Sequence, residues 1–95
     1  MNNVLDEHAQ LDVEISNLRA TDGELGKLKA LIVTGLGNNA TSLKVTAISN
    51  DTKGSRYELT FRVLNPRHFK LSTVQDWLYA AGLVGWNLNA TFVRP

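Results

Sequence analysis

The hydrophobic period of this 95-residue chain changes from helix-like to strand-like close to residue 40. Before that point, apolar residues recur every seven positions, at Val4, Leu11, Leu18, Leu25 and Ile32. From residue 43 onward, apolar and polar side chains alternate. Spacings near 3.6 are typical of one face of a helix, and alternation is typical of a half-buried strand. The order of the two patterns predicts an α+β protein.

The first part of the seven-residue pattern predicts an amphipathic helical arm over residues 1–21. Ile15 adds a second apolar position, four residues after Leu11 and three before Leu18. The resulting stripe is a candidate interaction surface. Its members are Val4, Leu11, Ile15 and Leu18. Polar residues occupy the other half of the heptad, so the pattern indicates a short coiled-coil-like arm.

A second helix is predicted over residues 22–35. The segment Thr21-Asp22-Gly23-Glu24 matches the capping box, in which a hydroxyl and a glutamate three residues later satisfy free amides. Gly35 and Gly37 are expected to end this helix. The apolar run at 28–36 also fits a strand, and the pattern alone does not decide between the two.

Three strands and a third helix are predicted in the rest of the chain. The strands cover 43–48, 57–63 and 86–92, and the helix between the last two runs from Ser72, with a second capping box, to Gly82. Each strand has one apolar face. We therefore expect residues 22–95 to form an α+β body in the order αββαβ, with a three-stranded sheet covered by helices on one face.

Composition and motifs argue against most chemistries. The chain has no cysteine, which excludes disulfides, thiolate nucleophiles and zinc–thiolate sites, and its two histidines do not complete a metal site. The segment Gly35–Ala40 fits a dinucleotide fingerprint, but a strand-like segment follows where a helix is required, which favours a glycine helix cap. We predict no enzyme activity, no catalytic residue, no metal and no cofactor.

The charge distribution leaves two binding modes open. Residues 1–26 hold six acids and one arginine, whereas residues 27–95 hold nine bases and three acids. The alternative to protein association is a sheet-type nucleic-acid-binding module, since basic side chains contact phosphates. The candidate contacts are Arg56, Arg62, Arg67 and Lys70.

The layout resembles the periplasmic part of the inner-membrane platform proteins of type IV pili and type II secretion (the PilN/PilO and GspL/GspM group). The resemblance rests on the heptad-like arm, Leu28-Lys29-Ala30-Leu31, the strand at 43–48, the helix around Trp77 and the closing strand from Trp86. It implies that the body at residues 22–95 has a ferredoxin-like fold. It also implies a non-catalytic scaffold in an envelope assembly that forms homodimers, or heterodimers with a related subunit, through the arm or the sheet edge.

The resemblance also implies a location. It places the domain on the periplasmic face of an inner membrane; without it, a cytoplasmic location is expected. No apolar run approaches the roughly 18–20 residues that span a bilayer. Membrane attachment would therefore need an anchor that this sequence does not contain.

Overall fold

A computed structural model describes residues 9–51 and 54–94, which form two helices and one antiparallel sheet of four strands in the spatial order β2-β3-β1-β4. The elements along the chain are β1 (Gln10–Ala20), α1 (Asp22–Leu36), a short 3-10 helix (Gly37–Asn39), β2 (Ala40–Asp51), β3 (Gly54–Val63), α2 (Leu71–Ala80) and β4 (Asn87–Val93). The order βαββαβ, with both helices on one face, confirms the predicted α+β ferredoxin-like class.

The predicted N-terminal helical arm is wrong. Residues 10–20 form strand β1, which pairs with both β3 and β4 and so lies inside the sheet. Leu11, Ile15 and Leu18 are 6%, 0% and 0% exposed, so the predicted interaction stripe belongs to the core. Val4 lies outside the described residues. With β1, the described sheet has four strands instead of the predicted three.

One hydrophobic core lies between the sheet and the helices. Leu28 and Ile32 of α1 and Val74 and Leu78 of α2 are at most 1% exposed, and they pack against the apolar faces of β1 and β3. Burial of one such side chain contributes about 1.5–3 kcal/mol. The sheet residues in this core are Leu11, Val13, Ile15, Leu18, Leu59, Phe61 and Val63.

The start of α1 follows the predicted capping box. The Glu24 amide donates to the Thr21 hydroxyl over 3.2 Å, and the Thr21 amide donates to the Glu24 carboxylate over 2.9 Å. The run at 28–36 is helical. The second predicted box is wrong: α2 begins one residue earlier, and its first cap residue, Lys70, makes no side-chain capping bond.

Of the two glycines expected to end α1, Gly37 ends it, whereas Gly35 lies inside the helix. Gly37 has φ 54°, a conformation that side chains with a Cβ disfavour, and its amide donates to the Val33 carbonyl. The short 3-10 helix and then β2 follow directly, so no α-helix begins after these glycines, as a dinucleotide site would require.

Gly35 determines how closely the two helices approach each other. A Cβ atom placed at Gly35 would lie 2.4 Å from Cζ2 of Trp77, which is closer than real contacts allow. The Trp77 ring therefore rests directly against the backbone of α1. Gly26, in the same helix, has no atom within 4 Å of such a Cβ.

We expect Gly35→Ala to destabilise the protein although alanine is the better helix former. Overpacking costs about 1–3 kcal/mol, which exceeds the roughly 0.5–1 kcal/mol gained in helix propensity. The matched control Gly26→Ala has room for its methyl group and should stabilise by about 0.5–1 kcal/mol. Urea unfolding of both variants measures these changes. Equal stabilisation by both substitutions would show that the packing of the Trp77 ring against α1 does not require a glycine at position 35.

Candidate functional site

The face of the sheet opposite the helices is a polar groove of about 960 Å³. It consists of side chains that alternate with the core residues along all four strands. The polar residues that line it are Gln10, Asp12, Glu14, Thr41, Lys44, Thr60, Arg62, Asn89 and Thr91. Acidic and basic groups are mixed, so the groove has no single sign of charge.

An ion pair between neighbouring strands crosses this groove. Arg62 of β3 lies opposite Asp12 of β1 and donates from Nε to Oδ1 over 2.6 Å and from Nη2 to Oδ2 over 3.1 Å. These hydrogen bonds lower the pKa of Asp12 and raise the pKa of Arg62. The two side chains remain 45% and 39% exposed, so the pair is a surface feature that water and salt weaken.

The four predicted nucleic-acid contacts do not form one patch. Arg62 is engaged with Asp12, and Arg56 lies six residues away along β3, or about 20 Å. Arg67 and Lys70 lie in the loop between β3 and α2. Of the two aromatic residues of β3, Phe61 belongs to the core and is only 3% exposed, and Tyr57 packs against that core, so neither presents a free ring for stacking on a base. Nucleic-acid binding therefore stays a prediction of the sequence.

The two edges of the sheet differ in their protection. β4 has seven residues, none of them charged and none a proline, and Phe92 on this strand is 68% exposed. β2 has two irregularities in its register with β3 and carries Lys44. Bulges and lysines are the usual means by which edge strands avoid pairing with another chain. β4 has neither.

Within residues 9–51 and 54–94, no cluster of three or more potential metal ligands is found. No helix of that part of the chain is long and apolar enough to cross a membrane. The candidate functional features are therefore the polar groove, the β4 edge and a smaller cleft between the helices.

The Asp12–Arg62 pair should make the stability of the fold sensitive to acid. Because the folded state lowers the pKa of Asp12 below its usual 3.8, the pair stabilises the fold above that pH, and this contribution is lost as the pH falls through the lowered pKa. We expect Asp12→Asn to lose less stability than the wild type between about pH 6 and about pH 2.5.

Urea unfolding at the two pH values measures this difference, which should be small because both side chains are partly exposed. Asp76→Asn is the matched control, since Asp76 is exposed and forms no ion pair with any other described residue. An Asp12→Asn protein as acid-sensitive as the wild type would contradict the assigned role of the pair.

No protein-family model matches the sequence, and no curated protein matches it. Solved structures share its fold. LarC2, the C-terminal domain of a cyclometallase involved in synthesis of the NPN cofactor of lactate racemase, has a TM-score of 0.56 and 18% identity over 90% of this chain. The match spans 56% of the LarC2 chain.

Two further structures match over nearly their whole length. SnoaB, a cofactor-independent oxygenase from Streptomyces nogalater, has a TM-score of 0.55 and 9% identity over 93% of this chain and 95% of its own. A dimeric ferredoxin-like protein of unknown function from Bacteroides fragilis has a TM-score of 0.45 and 9% identity over 90% and 97%. At these identities the likeness concerns the fold.

These neighbours correct two predictions. The resemblance to pilus and secretion platform proteins is wrong: the fold neighbours are of other kinds, and the helical arm that carried the resemblance is strand β1. The prediction that the chain is not an enzyme is also corrected: an oxygenase shares the fold, so this architecture gives no ground for excluding catalysis. The chain is similar to these ferredoxin-like proteins in architecture, and its own surfaces must indicate its function.

Proposed function

We propose that this chain is a self-associating domain in which two copies pair their β4 edges antiparallel and form one continuous sheet. The observation that carries the proposal is the uncharged, unprotected edge of β4 with the exposed Phe92. Among the strands of residues 9–51 and 54–94, β4 pairs only with β1, so its other row of backbone groups is available for another strand. The function proposed is therefore association through a sheet edge.

The sequence of β4 is complementary to itself. If two copies pair about a two-fold axis at Ala90, Leu88 of one lies opposite Phe92 of the other, and Asn89 lies opposite Thr91. The first pair is aliphatic–aromatic and the second is polar, and both kinds of cross-strand pair are favourable. No like charges meet. This self-complementarity favours a second copy of the same chain over an unrelated partner.

The other surfaces are less suited to pairing. The open face of the sheet holds charges of both signs, including the Asp12–Arg62 pair, and burying it would remove water from these groups. The β2 edge is interrupted by two register shifts. If two copies pair through β4, the polar groove of each copy stays exposed to water. The two grooves then lie on one continuous sheet.

Phe92 provides the first test. We expect Phe92→Ala to weaken the dimer about tenfold or more, because exposed aromatic residues are frequent energetic centres of interfaces. Since Phe92 is already 68% exposed, its loss should leave the fold intact. Ile48→Ala, which removes a 54% exposed side chain from the opposite edge, is the control and should associate normally. Sedimentation over a wide concentration range measures both dissociation constants.

A charge exchange tests the register. The double variant Asn89→Lys, Thr91→Lys places lysines opposite lysines across the two-fold axis and should weaken the dimer roughly 2- to 30-fold. The variant Asn89→Glu, Thr91→Glu should do the same, because like charges meet in it too. Mixing the two should restore association, which unfolded variants could not do.

The same added charge on the other edge serves as the control. Thr46→Lys, Ile48→Lys adds two lysines to β2 and should dimerise like the wild type. A wild-type protein that stays monomeric at all concentrations would overturn the proposal. Equal weakening by the β2 and β4 variants would do so too, since it would indicate a general charge effect.

A further inference from the structure

A cleft of about 380 Å³ lies where the end of α1, the loop between β3 and α2 and the first turns of α2 meet. Its size is within the range of sites for small molecules, which begins at about 300 Å³. The cleft lies on the helical side of the sheet, so it is distinct from the polar groove and from the β4 edge.

The loop that forms one wall is held by amide groups. Asn39 donates from Nδ2 to the Asn65 carbonyl over 2.9 Å and accepts from the Asn65 amide over 2.7 Å. The Asn65 side-chain oxygen accepts from the Arg67 amide over 3.3 Å. These bonds use both ends of the Asn39 carboxamide and the acceptor of Asn65. The wall is therefore built before any ligand enters.

The hydrogen-bonding groups left over in the cleft are mainly donors. Within residues 9–51 and 54–94, the side chains of His68, Lys70, Thr73 and Trp77 make no hydrogen bond to protein. The ammonium group and the indole N–H only donate, and the imidazole and the hydroxyl can donate. None of the nine lining residues is an aspartate or a glutamate. Such a lining favours an acceptor, and above all an anion.

Two aromatic side chains line the same cleft. Phe69 and Trp77 are half-buried, and the Trp77 ring contacts α1 at Gly35, where the absence of a side chain leaves room for it. A half-buried aromatic wall favours a flat apolar group beside it. The cleft thus offers an aromatic wall together with an anion-binding lining at Lys70 and His68.

We propose that this cleft binds a small aromatic carboxylate, with its ring against Trp77 and Phe69 and its carboxylate at Lys70 and His68. The proposal does not depend on self-association, because none of the lining residues belongs to β4. It adds a small-molecule site to the proposed association function, and each copy of the chain would carry one such site.

Titration of the full chain with benzoate tests the proposal. Binding is followed by the indole N–H resonance of Trp77 in a nitrogen–proton correlation spectrum. The variant Trp86→Phe, which leaves Trp77 as the one tryptophan, identifies this resonance. We expect a saturable shift with a dissociation constant of about 1 mM or tighter. Inorganic phosphate and benzyl alcohol, titrated separately, represent the anion alone and the ring alone.

Variants assign the groups. His68 and Lys70 are exposed, so the variants Lys70→Gln and His68→Gln should fold. Each substitution should weaken benzoate binding about threefold or more, and the double variant should bind about tenfold more weakly. Lys27→Gln is the control: it removes an exposed lysine eight residues before Gly35 on α1, or about 12 Å away, and should bind like the wild type.

Three outcomes would overturn the proposal. One is a Trp77 resonance that does not saturate with benzoate, and another is unchanged binding in the Lys70→Gln, His68→Gln double variant. The third is binding of phosphate or benzyl alcohol as tight as that of benzoate, since the site would then not recognise the ring and the carboxylate together.

Discussion

The architecture depends on a bulge in β1, the strand that lies between β3 and β4. Before it, Leu11, Val13 and Ile15 face the core with a period of two. The register shifts between Ile15 and Leu18, where Asn17 adopts φ 57° and donates from its side chain to the Gly85 carbonyl over 2.8 Å. An uninterrupted strand would turn Leu18 to the open face. The bulge keeps it in the core, fully buried.

The same bulge explains why β1 was predicted as a helix. Leu11, Ile15 and Leu18 are separated by four and three residues, which is the helical spacing, but here a strand with one inserted residue produces it. Val13 and Ala20 were the contrary signals, since a helix would not place either on the face of Leu11 and Ile15. No local rule identifies the bulge before the partners of the strand are known.

The remaining elements follow from local signals. Clear alternation predicted β3, the capping box at Thr21 and Glu24 predicted the start of α1, and glycine predicted its end. Pairing across the sheet was beyond such signals. Arg62 looked like a free phosphate contact until the fold placed it beside Asp12, fifty residues earlier in the chain. The uncharged sequence of β4 was equally visible, but only the strand order makes it an edge.

One packing contact connects the fold to the smaller cleft. Because Gly35 has no Cβ, the Trp77 ring approaches the backbone of α1, and the two helices can both cover the core with Leu28, Ile32 and Leu78. The ring held in this way is also a wall of the cleft. A side chain at Gly35 would therefore change the helix packing and the shape of the cleft together. Stability and binding at this end of the molecule are consequences of the same close approach, and measurements of one constrain the other.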